Sequence, residues 1–206
     1  MEAIIELSDI TIYREKINKY VLEIQHNLDN NTDFLLSYLS NRLNQDFTDE
    51  FRKLNADSNH NTEIAINAYS IRGFKDYLEE KNYRLDYDIV LKILQELSKL
   101  ITYLERTDKS IAVYSLDDLI VIDEETFLFV NNESIFSLNP ENPKNIQISV
   151  PLEITKFASP ELAQQSELPF SLDYRASFFS LASFLTYCLF AETLLGKTSS
   201  EVENIL

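Results

Sequence analysis

Residues 179–190 read Phe-Ser-Leu-Ala-Ser-Phe-Leu-Thr-Tyr-Cys-Leu-Phe, and this stretch decides the fold. It predicts a helix that begins at Asp173 or Tyr174, ends near Glu192 and is apolar nearly all round. A helix with so little polar surface must be surrounded by protein, so we expect it to lie at the centre of the fold. The single cysteine of the chain, Cys188, lies in this run and is predicted to be a buried structural thiol.

The chain before this helix alternates short β-like runs with two further helices. Apolar spacing predicts a short helix over 74–80 and a long, largely buried helix over 89–104. Alternating or continuous apolar runs bounded by polar residues predict strands, and four of them predict two small hairpins. The first predicted strand lies at 64–68 and extends to Gly73. The others lie at 111–114, 119–122, 127–130, 135–138 and 146–150.

The N-terminal part of the chain carries a helical pattern. Apolar side chains recur at three- and four-residue steps over 13–28 and 35–43, with a weaker set over 47–54. We therefore predict that residues 1–56 form a helical N-terminal extension.

A polar run at 57–62 predicts a loop and the first internal boundary. The chain then divides into the helical extension 1–56 and a second domain at 63–206. With these elements the predicted fold class is α+β, mainly helical.

Composition excludes several classes of site. Eighteen basic and 34 acidic side chains give a formal charge of -16, so the surface repels nucleic-acid phosphate and no nucleic-acid partner is expected. The two glycines, Gly73 and Gly196, are too few and too distant for a glycine-rich phosphate loop. One cysteine and two histidines, His26 and His60, exclude a Cys/His zinc site, and neither histidine is assigned any chemistry. No metal and no cofactor is predicted.

The expected setting is the cytoplasm. The sequence contains no run of about 18 apolar residues, which a membrane span requires. It opens with Glu2 and Glu6 rather than with the cationic region of a signal peptide. Asn and Ile are plentiful, as in proteins of AT-rich genomes such as those of some large DNA viruses.

Five segments, in this order, carry a resemblance to a known family. They are 74–78, 97–104 (Leu-Ser-Lys-Leu-Ile-Thr-Tyr-Leu), 119–123 (Leu-Ile-Val-Ile-Asp), 157–162 (Phe-Ala-Ser-Pro-Glu-Leu) and 179–190. Together they resemble the C-terminal lobe (C-lobe) of a eukaryotic-type protein kinase.

The resemblance covers about residues 70–198 and implies a truncated kinase C-lobe without a recognisable N-lobe. It implies that Ser159, Pro160 and Glu161 correspond to the Ala-Pro-Glu element that closes the kinase activation segment. It also implies that Ser177 stands where kinases place the aspartate that leads the buried helix and supports the catalytic loop.

The resemblance makes phosphoryl transfer doubtful in this chain. The metal-binding Asp-Phe-Gly falls at 131–133, so Asn131 replaces a carboxylate that would hold magnesium. If Asp118 takes the position of the catalytic-loop asparagine, the base position falls on Val113, which cannot accept a proton. A shortened loop instead places Asp117 or Asp118 in the base position, and both alignments remain open.

The residues themselves favour simpler interpretations of these segments. An Asp117-Asp118 pair in an acidic chain is typical of a solvated loop. The segment 131–133 is typical of a β-turn in which an asparagine supplies the left-handed conformation.

The leading functional hypothesis is a catalytically inactive, kinase-like protein (a pseudokinase) that serves as a protein-interaction or regulatory module. One alternative is an atypical ATP-dependent phosphotransferase or nucleotide binder that uses Asp117 or Asp118 with Asn131. Another is a structural or assembly protein that forms a homodimer through its N-terminal helices.

Overall fold

A computed structural model describes residues 1–7, 10–25, 34, 35, 37–39, 41, 42, 51–53, 61–197, 200 and 201. The chain forms two compact units. The first comprises Met1–Tyr77 and Asp117–Glu133, and the second comprises Leu78–Leu116 and Ser134–Leu206.

The first unit contains a five-stranded antiparallel sheet in the order β1-β2-β3-β5-β4. Its strands are β1 (Glu2–Glu6), β2 (Ile10–Lys16), β3 (Lys19–Gln25), β4 (Phe51–Lys53) and β5 (Asn61–Asn67). Helical residues between β3 and β4, which we call α1, are 34, 35, 37–39, 41 and 42.

The buried apolar side chains of β2 and β3 lie on one face of this sheet. Ile10 and Ile12 of β2, and Tyr20, Leu22 and Ile24 of β3, are all buried. These side chains share one face because successive residues of a strand point to opposite sides. The apolar pattern that predicted a helix over 13–28 is therefore produced, within the described residues, by two paired strands.

The prediction that residues 1–56 form a helical extension is wrong. Lys16 pairs with Lys19, so the chain reverses at Ile17 and Asn18. Asn18 has a φ of 60°, a conformation that asparagine tolerates and that a tight hairpin turn requires. The turn leaves Ile17 80% exposed, whereas a helix of the predicted spacing would bury it.

Among the other predictions for the N-terminal part, one helix is confirmed and the remaining elements differ from those predicted. The helix predicted over 35–43 is confirmed at the helical residues of α1, but Phe51 begins a strand instead of continuing a helix. Residues 61 and 62 belong to β5 rather than to a loop, and 57–60 lie outside the described residues. Helix and strand account for about 34% and 32% of the structure, so the mainly helical prediction is also wrong.

A second sheet in the first unit has the order β6-β8-β9. It consists of β6 (Ile71–Gly73), β8 (Leu119–Ile122) and β9 (Thr126–Phe129). Gly73 thus ends β6, a strand separate from β5. Asp123 and Glu124, both at positive φ, turn the chain between β8 and β9, and this confirms one of the predicted hairpins.

The second unit combines helices with a four-stranded sheet in the order β12-β11-β10-β7. The helices are α2 (Phe74–Glu80), which begins in the first unit, α3 (Tyr87–Glu105), α4 (Pro160–Ala163) and α5 (Ala176–Phe190). The strands are β7 (Lys109–Ile111), β10 (Ile135–Asn139), β11 (Asn142–Ile148) and β12 (Phe170–Asp173). The predicted helices at 74–80 and 89–104 are confirmed, but the second is not largely buried, because Leu91 and Leu94 are exposed. The second predicted hairpin is not formed within the four runs that predicted it, because β10 forms its hairpin with β11, a strand outside those runs, and pairs on its other side with β7.

Helix α5 packs against the rest of its unit over most of its surface but not all of it. Leu181, Phe184 and Cys188 are buried, whereas Phe178 and Phe190 are 41% and 40% exposed. The prediction of a helix surrounded by protein on every side is therefore only partly right. Among the helices of the described residues, none has both the length and the apolar character needed to cross a membrane.

The C-terminal end of α5 carries a residue in an unfavourable conformation. Ala191 caps the helix with a φ of 58°, in the left-handed region that favours glycine. We expect Ala191→Gly to raise the free energy of unfolding by about 0.5 kcal/mol, because it removes this strain. Urea unfolding of the two proteins measures the difference, and a lower stability of the variant would contradict the expectation.

Candidate functional site

Asp118 lies at the open end of the β8–β9 hairpin. It is the last residue of a 3-10 turn, Leu116–Asp118, that leads directly into β8. The register pairs Leu119 with Phe129, so the residues just before β8 and just after β9 meet at this end. The Val130 amide donates to the Asp118 carbonyl at 2.8 Å and fixes the two segments together.

The carboxylate of Asp118 is buried, with none of the residue exposed. Asn131 Nδ2 donates to Asp118 Oδ1 at 2.7 Å. A buried carboxylate requires such a donor, since an unpaired charge away from water is strongly unfavourable. The interpretation of both aspartates as solvated loop residues is therefore wrong for Asp118, while Asp117 is exposed.

The other end of the Asn131 amide is also engaged. Asn131 Oδ1 accepts a hydrogen bond of 2.9 Å from the Glu133 amide, which closes an Asx turn. Asn131 and Asn132 are absent from the residues with positive φ, so the prediction of a left-handed asparagine in this turn is wrong. The hydrogen bond to the Asn131 side chain, rather than a left-handed backbone conformation, therefore stabilises this turn.

The Asp118–Asn131 pair lacks further acidic neighbours arranged as ligands. Across the part of the chain that the structure describes, no three His, Cys, Asp or Glu side chains are grouped so that they could hold a metal ion. Val113, one candidate for the base position, is buried in an apolar cluster with Ala112 and Phe136. The pair can hold the hairpin end together, but its geometry offers one carboxylate and an amide whose atoms already have partners.

The segment that precedes Asp118 is supported by α5 through a serine. The Tyr114 amide donates to Ser180 Oγ at 2.8 Å, and Thr155 Oγ1 donates to the Tyr114 carbonyl at 2.8 Å. Ser177, which the resemblance implied for such a brace, instead donates to the Tyr174 carbonyl at 2.6 Å. The hydroxyl that supports this segment, that of Ser180, therefore lies about one helical turn after Ser177, the residue that the resemblance implied.

Sequence inspection missed Ser180, although a signal was present. Polar residues recur every third position along an otherwise apolar helix, and all four are buried: Ser177, Ser180, Ser183 and Thr186. A buried hydroxyl is normally hydrogen-bonded, so this stripe could have indicated contacts to neighbouring backbone. Ser183 Oγ indeed accepts from the Leu194 amide at 3.4 Å.

We expect Ser180→Ala to lower the free energy of unfolding by about 1 to 3 kcal/mol, because the buried Tyr114 amide loses its acceptor. Ser177→Ala is the matched control on the same helix. Its effect should be smaller, since the Tyr174 carbonyl keeps the Ser177 amide as a donor at 3.1 Å. Urea unfolding of both variants gives the comparison, and equal losses would contradict the assigned role of Ser180.

Ser159, Pro160 and Glu161 form the start of α4. Ser159 is buried, and its hydroxyl accepts from the Leu162 amide at 3.2 Å as an N-terminal cap. Pro160 occupies the first helical turn, where its missing amide hydrogen is not needed. The exposed Glu161 completes a stretch whose local role is to begin a helix.

Cys188 shows no sign of nucleophilic chemistry. The residue is fully buried, as predicted, and burial raises the pKa of its thiol to about 12. The thiol therefore stays protonated at neutral pH and unreactive. His26 and His60 lie outside the described residues.

Comparison with protein-family models and with curated proteins found no relative of this chain. No protein-family model matches the chain, and no curated protein matches it. Any functional assignment must therefore rest on the residues and their geometry.

Proposed function

We propose that this chain is a kinase-like protein without phosphoryl-transfer activity, which acts by binding another protein. The observation that carries the proposal is the hydrogen bond from Asn131 to the buried carboxylate of Asp118. Kinases hold magnesium with an aspartate after the hairpin and an asparagine in the catalytic loop. Under the resemblance, this chain has an amide at the first of these positions and a carboxylate at the second.

The hydrogen bonds argue against a working metal site at this pair. The amide nitrogen of Asn131 cannot ligate a cation, because its lone pair is delocalised into the carbonyl group and it acts as a donor to Asp118. The amide oxygen, the atom that could ligate, already accepts from the Glu133 backbone, which fixes the direction in which it points. Rotating the amide to face a cation would break both bonds and leave a turn and a buried carboxylate without these partners.

The phosphate-binding parts of a kinase are also missing from the sequence. Kinases cover the nucleotide with a glycine-rich loop and place a lysine on strand β3, ahead of helix αC. In this chain the first glycine is Gly73, and the only lysine of β3 is its exposed first residue, Lys19.

The base position supports the same proposal. Val113 is buried among apolar side chains, and it has no group that could accept the proton of a substrate hydroxyl. In the alternative alignment Asp118 is the base, but its carboxylate is buried and bonded to Asn131.

The test is a phosphoryl-transfer assay with radiolabelled ATP and magnesium, using generic protein substrates and the chain itself as acceptors. We expect no incorporation above that of a matched Asp118→Ala protein. Magnesium-dependent incorporation that disappears in Asp118→Ala would contradict the proposal and would establish the phosphotransferase alternative.

A further inference from the structure

We propose that an exposed apolar patch at one end of the second unit's sheet binds an extended, basic segment of a partner protein. The patch consists of Val150, Pro151, Leu168 and Pro169, and we call it the Val150–Leu168 patch. The inference rests on the proposed function, for which it names a surface and the chemistry of the partner.

The register of the sheet brings the two halves of the patch together. The last pair between β11 and β12 joins Ile148 to Phe170. Val150 lies two residues after Ile148, and Leu168 lies two residues before Phe170. Because the strands are antiparallel, both leave the sheet at the same end.

Exposure changes abruptly at this end. Ile146, Ile148 and Leu172, within the sheet, are buried in its core. Val150 and Leu168, just beyond it, are 54% and 44% exposed. Neighbouring exposed apolar side chains at one site are typical of an interaction surface, whereas isolated ones are not.

The patch is held in place by its surroundings. Leu152 and Phe170, which flank it, both pack against the core cluster of this unit. Pro151 and Pro169 restrict the backbone on both sides. Little conformational entropy would be lost on binding, which favours recognition of another chain.

The neighbouring strand offers backbone partners to an extended ligand. β12 ends the order β12-β11-β10-β7, so among the described strands its only neighbour is β11. An edge strand presents amide and carbonyl groups that another extended segment can pair with. Leu168 lies two residues before the start of this strand, where side chains of such a segment would reach the patch.

Charge defines the partner. Glu167 precedes Leu168, Glu153 follows Leu152, and both glutamates are exposed on a chain with a formal charge of -16. In contact with a second copy of this chain, these glutamates would face the same glutamates of that copy and repel them. An anionic lipid or nucleic acid would be repelled as well. A segment with alternating lysine and apolar residues satisfies both the apolar patch and its acidic rim.

The test uses a fluorescent eight-residue peptide of alternating lysine and leucine, with a matched peptide in which glutamate replaces lysine. We expect fluorescence anisotropy to show binding of the first peptide alone. The double variant Val150→Ser/Leu168→Ser should weaken binding about tenfold, as expected when central apolar anchors are removed. Its charge is unchanged, so a loss cannot come from the general attraction between a basic peptide and an acidic protein.

The matched control removes two exposed side chains from the other unit. Ile17 and Tyr69 are 80% and 81% exposed, and Ile17→Ser/Tyr69→Ser should leave peptide binding unchanged. Urea unfolding establishes that both double variants fold. Equal binding by all three proteins, or no binding by the native chain, would overturn the inference while leaving the proposed lack of phosphoryl transfer intact. Activity in the phosphoryl-transfer assay would overturn the proposed function, whether or not the peptide binds.

Discussion

Replacing Asn131 with aspartate should lower the free energy of unfolding at pH 7 by about 3 to 5 kcal/mol, the loss typical of an uncompensated buried charge. Asn131 Nδ2 and Asp118 Oδ1 are 2.7 Å apart, so the variant would bring two carboxylates into contact. The donor that stabilises Asp118 would be lost at the same time. Urea unfolding followed by circular dichroism measures the change.

Asn139→Asp is the matched control for this variant. Asn139 Oδ1 accepts from the Glu141 amide at 2.9 Å, the same Asx turn that Asn131 makes with Glu133. An aspartate can make this turn equally well, and Asn139 is only half-buried. A similar loss in both variants would show that the turn, rather than the contact with Asp118, determines the effect.

The destabilisation of Asn131→Asp should depend on pH. In the folded variant the two neighbouring carboxyl groups hold a shared proton at a pH where the carboxyls of an unfolded chain, with ordinary pKa values of about 4, are ionised. The folded state then binds more protons than the unfolded state, so its stability relative to the native protein rises as the pH is lowered from 7 to 5. A deficit that is constant over this range would contradict contact between the two carboxylates.

The second large effect is expected at the centre of α5. Phe184 is fully buried, and its ring lies 5.3 Å from that of Phe157 and 6.2 Å from that of Tyr114. Phe184→Ala should therefore lower the free energy of unfolding by about 3 to 5 kcal/mol, through lost burial and the cavity left behind. Thermal or urea unfolding measures it.

Phe178→Ala provides the comparison on the same helix. Phe178 is 41% exposed and contacts Tyr174 with a ring distance of 5.8 Å. Its removal should cost about 1 kcal/mol, since much of the ring is already in water. If the two alanine variants lose similar stability, the orientation of α5 described above is incorrect.

Local patterns in the sequence predicted several elements well. The helix at 74–80 and the strand at 119–122 have the predicted bounds, because each is a short run ended by polar residues. The N-terminal sheet was missed because residues such as Tyr20 and Ile24 satisfy a step of four as well as a step of two. The turn at Ile17 and Asn18 contains no glycine, so the usual signal of a hairpin was absent.

The candidate site was harder to predict, since its chemistry depends on residues that are distant in sequence. Asp118 and Asn131 were both singled out, but their contact spans thirteen residues and the whole β8–β9 hairpin. Once the hairpin register is known, the contact follows. The support of Tyr114 by Ser180 spans 66 residues, and no local pattern specifies which serine of α5 supplies it.

The most direct test of the proposed function is a thermal-shift titration with ATP, with and without magnesium, on the native protein. A ligand present at 100 times its dissociation constant stabilises a fold by about 2.7 kcal/mol, which such a titration detects readily. The engaged amide of Asn131 predicts no magnesium-dependent shift up to millimolar ATP. A shift that requires magnesium and is lost in Asp118→Ala would contradict the proposal that the pair has no nucleotide chemistry.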